Sequence, residues 1–227
     1  MNSILLLHGA LGSQKDFVQL KEILSTDYKV YSLNFSGHGG RTFPRKGFSM
    51  AAFVQDILAF MELYQLEQID VFGYSMGGYV ALELAKQEPQ KLGKLFTLGT
   101  KFDWTPESAA KEAKMLNPDK IEAKIPKFAE ALFKTHEPAD WKEVMRCTVD
   151  MMTGLGNGLA LSAADLNNIQ HPISINVGSL DNMVSQEESE LAAQQLPNGT
   201  FNVLEGFKHP INQVDMQQLA TRLKAFF

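Results

Sequence analysis

Residues 68–79 read Gln68-Ile69-Asp70-Val71-Phe72-Gly73-Tyr74-Ser75-Met76-Gly77-Gly78-Tyr79, and the fold turns on how they are read. The β-branched and aromatic Gln68 to Phe72 suits a short buried strand. From Tyr79 to Lys86 the residues are good helix formers, and Pro89 stops the run. Between them Gly73-Tyr74-Ser75-Met76-Gly77 fits G-x-S-x-G, a pattern that sets a serine on a sharp turn from strand to helix. That turn is too tight for bulky neighbours, so small residues must stand two before and two after the serine. The pattern alone arises by chance in about one chain in ten of this length at average glycine and serine usage. The strand before it and the helix after it carry the assignment.

Outward from this turn, strands and helices alternate. Ile4-Leu5-Leu6-Leu7 is a continuous apolar run of the kind a parallel sheet buries on both faces. It ends in His8-Gly9-Ala10-Leu11-Gly12-Ser13, where Ser13 and Asp16 form a capping box for a helix carrying Phe17, Leu20 and Leu24. Lys29 to Leu33 is the second strand, followed by Asn34-Phe35-Ser36-Gly37-His38-Gly39-Gly40. Ser49 caps a helix in which Met50, Phe53, Val54, Ile57, Leu58 and Met61 keep the i, i+3, i+4 spacing. Lys94 to Gly99, Ile173 to Gly178 and Phe201 to Leu204 complete six strands; Ser185 and Glu188 box another helix, and an amphipathic helix ends the chain.

From Trp104 to Ile169 the alternation stops. Thr105-Pro106 and Glu137-Pro138 read as helix starts, Pro118 and Pro126 as punctuation, and Gly154 to Gly158 as a flexible break. A helical insertion of this kind predicts a cap over the active edge of the sheet, residues 104–169, set into a core made of 1–103 and 170–227. Of its large apolar residues Trp104, Met115, Phe128, Phe133, Trp141, Met145, Met151 and Met152, helix packing accounts for most, and two or three are expected to line a pocket. Leu11 and Trp104 are the named pocket candidates.

Bulk properties narrow the class. At 227 residues, with 44% hydrophobic and 21% charged residues, the chain suits one α/β domain with a sizeable core. A net charge of −5 without a basic run speaks against nucleic acid. Cys147 is the only cysteine, reads as a small buried hydrophobe, and has no metal-ligand spacing around it. The opening Met1 to Leu7 lacks a positive segment and is too short to be a signal peptide or a membrane span, so a cytoplasmic protein is the expectation.

A serine hydroxyl attacks only when a base takes its proton, and a third group must orient that base. Asp181 follows the fifth strand in Gly178-Ser179-Leu180-Asp181, and His209 follows the sixth, so with Ser75 both fall at one edge of the sheet. His8 suits packing or loop ordering; His38, His136 and His171 do not follow the last strand, and Asp103 after the fourth strand is the rival acid. For the tetrahedral oxyanion the main-chain N–H of Met76, at a helix start, is one donor and that of Ala10 the second.

Taken together, His8-Gly9, Gly37-His38-Gly39, Gly73-Tyr74-Ser75-Met76-Gly77-Gly78, Gly178-x-x-Asp181 and Gly206-x-x-His209-Pro210 resemble the α/β-hydrolase fold superfamily over nearly the whole chain. The resemblance implies a serine hydrolase of esterase, lipase or thioesterase type with triad Ser75, Asp181 and His209, needing neither cofactor nor metal. Its partner would be a small-molecule ester with a modest apolar acyl or alcohol part. The alternatives are thioester or carbon–carbon bond cleavage by the same triad, for which Arg41, Arg45 or Lys46 would be the basic anchor, and a non-catalytic small-molecule receptor. Three departures matter. The chain begins directly with the His-Gly strand, so the usual antiparallel strand pair is expected to be missing and Lys29 to Leu33 to lie at an edge, which makes a homodimer one expectation. Asn34 stands where the family usually has aspartate, bearing on loop anchoring. Tyr79 replaces the arginine typical of the menaquinone-pathway lyase of this fold, and Ser75 excludes the dehalogenases, which carry aspartate there.

Overall fold

The computed structural model describes residues 2–227. Its centre is a wholly parallel six-stranded sheet in the order β2-β1-β3-β4-β5-β6. The strands are β1 (Ser3–Leu7), β2 (Lys29–Leu33), β3 (Ile69–Tyr74), β4 (Leu92–Leu98), β5 (Ile173–Gly178) and β6 (Gly199–Leu204). The expected strand Lys29 to Leu33 lies at the edge. Strands β4 and β6 each start two residues earlier than their apolar runs, because pairing with β3 and β5 extends the ladders to Leu92 and Gly199.

Side chains of β1 alternate between two cores. Leu5 and Leu7 join a cluster with α2 (Met50–Leu63) and α3 (Met76–Gln87), while Ile4 and Leu6 pack with α1 (Val18–Leu24) and α10 (Met216–Phe226). All four are fully buried, which is why the strand reads as unbroken apolar sequence. Local signals behave as their chemistry requires: Ser13 with Asp16 and Ser185 with Glu188 close capping boxes, the latter on α9 (Gln186–Gln195), and Ser49 caps α2.

Because β1 sends the chain outward to β2 on one side while β3 lies on its other side, the loops after β1 and β3 diverge. They leave a crevice at the carboxyl ends of the strands, the usual place for a ligand in open parallel sheets.

Between β4 and β5 run α4 (Pro106–Met115), α5 (Pro118–Lys124), α6 (Pro126–His136), α7 (Trp141–Gly154) and α8 (Ala163–Asn167). Pro106, Pro118 and Pro126 each stand in a first helical turn. The start expected at Glu137-Pro138 is corrected. That pair lies in the turn after α6, and α7 begins at Trp141 because the Asp140 side chain caps the N–H of Lys142. The glycine run 154–158 breaks the helix only at its far end. Leu155 and Gly156 carry on from α7, buried beside α4, before Asn157 (φ −97°, ψ 28°) and Gly158 (φ 98°) leave helical geometry in a kink. Ile121, Ala129, Leu132, Trp141 and Met145 form a small core of their own. Met115, Phe128 and Phe133 are exposed. Cys147 is half-buried; burial and the nearby Glu143 carboxylate push its thiol up to about 11, far from a reactive thiolate. No helix among the described residues is long and apolar enough to cross a membrane.

Candidate active site

Ser75 sits between β3 and α3 with φ 50° and ψ −117°, a backbone conformation that side chains rarely adopt. The flanking glycines permit it by close approach: a Cβ on Gly73 would strike the Gly78 backbone, and one on Gly77 would strike the carbonyl of Leu7. The bonds of Ser75 run through its main chain. Its N–H donates to Leu98 O at 2.9 Å, and its carbonyl accepts from Thr100 Oγ1 at 3.0 Å. The hydroxyl is thereby left to a pocket of about 510 Å³, mouth included, whose wall includes Ser75, Ala10, Met76 and His209.

His209 Nδ1–H donates to Asp181 Oδ2 at 2.8 Å, with the two side chains 8% and 2% exposed. The pairing is built by the backbone. Ser179 N–H and Leu180 N–H donate to Leu204 O and Phe207 O, both at 2.9 Å, lacing the loop after β5 to the loop after β6. Tyr74 Oη donates to His209 O at 2.7 Å, tying that loop to the residue before Ser75. Asp181 Oδ1 accepts from the N–H groups of Met183 and Val184 at 2.8 and 2.9 Å. Burial pushes this carboxyl up, but the bonds from His209, Val184 and Met183 outweigh it and hold it below the usual carboxylate range. The rival Asp103 is exposed, and its N–H is held by Glu188 at 2.8 Å.

Met76 is the first residue of α3, so its N–H has no partner in the helix, and Ala10 N–H donates to no other described residue. A Cβ on Gly9 would stand 3.2 Å from the Ser75 Cβ, so the loop after β1 lies directly against the serine.

Of the apolar residues in 104–169, Trp104, Met151, Met152 and Leu155 line the pocket. Leu11, expected there, does not: it packs against the Trp141 cluster and the main core, and its carbonyl is taken by His136. Arg41 is engaged elsewhere, paired with Asp56 at 3.0 Å, and neither Arg45 nor Lys46 reaches the pocket. Asn34 anchors its loop from both sides, accepting from Gln14 N–H at 2.7 Å and donating to Gly39 O at 3.2 Å. The charged residues that do line the pocket are Lys101 and Glu112, which sequence reasoning missed. Their only early sign was a lysine placed just past the end of a strand.

His8, His38 and His136 form a buried column: His8 and His38 have ring centres 5.1 Å apart, His38 and His136 5.7 Å. His8 Nε2 accepts from Phe35 N–H at 3.1 Å, so its Nδ1 carries the proton and donates to Gly9 O. Burial lowers all three, His8 to about 4 and His38 well below its ordinary value, so the column is neutral at pH 7.

Residues 2–146 match the family model for the alpha/beta hydrolase fold. Over 91 residues, 38% of this chain and 24% of the relative, the sequence is 35% identical to a probable alcohol acetyltransferase of Cyberlindnera fabianii. Over 98 residues, 42% of this chain and 37% of the relative, it is 30% identical to a putative carbamate hydrolase of Rhizobium rhizogenes. The matches thus span about a quarter to just over a third of these relatives' lengths. A thermophilic esterase from Thermogutta terrifontis superposes with a TM-score of 0.78 over 99% of this chain and 89% of its own, at 21% identity, a likeness of fold.

Proposed function

The chain belongs to the α/β-hydrolase fold family, and from that premise we propose that it is a serine hydrolase, cleaving a carboxylic ester with a modest apolar acyl or alcohol group through an acyl-Ser75 intermediate. In this reading His209 holds its proton on Nδ1 toward Asp181 and takes the Ser75 proton on Nε2 as Oγ attacks the ester carbonyl. The N–H groups of Ala10 and Met76 receive the oxyanion, helped by the start of α3. Collapse expels the alcohol, which takes the proton from His209, and water activated by the same ring releases the acid. Residues 104–169 act as a cap whose Trp104, Met151 and Met152 give the pocket its apolar character.

The observation that carries this reading is the buried 2.8 Å pairing of His209 with Asp181 on the wall of the pocket that exposes Ser75. Purified protein is expected to hydrolyse p-nitrophenyl butyrate and to be labelled by a fluorophosphonate, with both signals lost in Ser75→Ala. Labelling that persists in Ser75→Ala would move the nucleophile elsewhere. Stoichiometric binding without turnover would make the protein a receptor, and a large preference for thioesters over matched oxygen esters would reassign the substrate.

A further inference from the structure

One charged pair in the pocket has no part in the chemistry above. Lys101 follows β4 by three residues, and Glu112 lies on α4. Their side chains are 17% and 9% exposed, and Nζ stands 3.7 Å from Oε1, an ion pair too long for a hydrogen bond. The ammonium has no hydrogen-bond acceptor among the described residues; its other neighbour is the Trp104 ring, 5.8 Å away at the centroid. Around the pair the wall is thioether and aliphatic, with Met151, Met152 and Leu155.

As a structural tie this is a poor arrangement. Two charges removed from water are repaid only by close geometry and further hydrogen bonds, and an apolar pair of similar size would hold α4 as well or better. What the pair does offer is an unused donor beside an unused acceptor, both facing the cavity. Its charges cancel, so the choice of ligand follows. A carboxylate would gain from Lys101 but be repelled by Glu112, and again by Asp181 behind His209. An ammonium would meet the reverse conflict at Lys101. A neutral group that accepts from Nζ and donates to Oε1 satisfies both.

We propose that Lys101 and Glu112 together form a polar subsite that selects esters carrying an uncharged donor–acceptor group, a carboxamide or a hydroxyl, at the end remote from the scissile bond. This deepens the ester-hydrolase reading and rests on it. Exclusion of charged ends would come from the balance of the pair, since removing either partner leaves a lone charge that recruits its opposite.

The test uses two series of matched length, with the variable group on the acyl end (methyl 5-amino-5-oxopentanoate, monomethyl glutarate, methyl 5-aminopentanoate, methyl hexanoate) or on the alcohol of an acetate ester. In at least one series the wild type should turn over the carboxamide with kcat/KM about tenfold or more above the charged and the alkyl members. Lys101→Met should shift the preference toward the ammonium ester and Glu112→Leu toward the carboxylate. The double variant Lys101→Met/Glu112→Leu, apolar at both positions, should prefer the alkyl ester. Equal kcat/KM across both series in the wild type, a wild-type preference for a charged member, or a carboxamide preference that survives the double variant would overturn the subsite. Ser75→Ala separates this from the chemistry: hexanamide binding to that variant, read by tryptophan fluorescence, should weaken at least tenfold in the triple variant. Retained hydrolysis by Ser75→Ala would sink the acyl-serine reading while leaving that binding difference intact.

Discussion

His136 Nε2–H donates to the carbonyl oxygen of Leu11 at 3.0 Å, while its Nδ1 accepts from Gly39 N–H at 3.1 Å. One fully buried ring at the end of α6 therefore holds both the loop after β1 and the loop after β2. Leu11 has φ 60°, a left-handed conformation unfavourable for leucine, and it follows Ala10, the candidate oxyanion donor. His136→Ala should leave two half-buried main-chain groups without their ring partner, at about 1 kcal/mol each. With the Ala10 donor loosened, kcat for p-nitrophenyl butyrate should fall about tenfold or more, with KM changed far less. Unaltered kcat in a measurably less stable protein would show that the ring supports the fold and not the donor.

Asp181→Asn should leave the loop bonds between β5 and β6 intact while removing the charge that favours the Nδ1–H tautomer of His209. The expected loss in kcat is about 10³–10⁴-fold, with little change in the unfolding midpoint. Activity within tenfold of wild type would remove Asp181 from the proposed triad.

The histidine column makes stability depend on pH. Its rings are harder to protonate in the fold than in the unfolded chain, so the unfolded chain binds more protons as pH drops below the ordinary value of 6.5, down to about 4 for His8. Stability is then fully present above pH 6.5 and is lost as pH falls across that window. His8 alone accounts for a change on the order of 3 kcal/mol. Urea midpoints measured from pH 7 to pH 4.5 should decline steadily, and His136→Gln should flatten the slope. A midpoint independent of pH would mean that the rings stay as easily protonated as in the open chain.

Gly156, just past α7, packs directly on α4. A Cβ there would lie 2.6 Å from Ala109 Cβ and 2.7 Å from Thr105 O, neither of which belongs to a flexible side chain. Gly156→Ala should cost about 1–3 kcal/mol and lower the melting temperature by roughly 2–12 °C. It should also displace α4, which carries Glu112. An unchanged melting temperature would show slack in that contact.

What the sequence made legible is what short-range chemistry writes into it. The apolar run Ile4 to Leu7 announces a strand buried on both faces, Ser13 and Asp16 announce a helix start, and the glycines about Ser75 announce a turn that nothing larger fits. The same locality explains the misreadings. Pro138 looks like a helix start, but the cap that decides is Asp140. Gly154 to Gly158 looks like slack throughout, but at Gly156 it is the closeness of α4 that calls for glycine, and the kink comes only at Asn157 and Gly158. Neither the bond from His136 to Leu11, which bridges 125 positions, nor the meeting of Lys101 with Glu112 across the pocket leaves a periodic trace. Arg41 shows the converse error: a basic residue near the site in sequence is engaged by Asp56, and the lysine facing the cavity comes from another strand.

The torsions at residue 75 carry a consequence for design. Alanine there would keep the discomfort of a Cβ at φ 50°, while glycine would relieve it, so Ser75→Gly should be about 1 kcal/mol more stable than Ser75→Ala. A polypeptide shaped only to endure would have set a third glycine at this apex. If the proposed reaction holds, robustness and usefulness pull in opposite directions at this single position, and thermal hardening guided by melting point alone would erase the hydroxyl that the reaction needs.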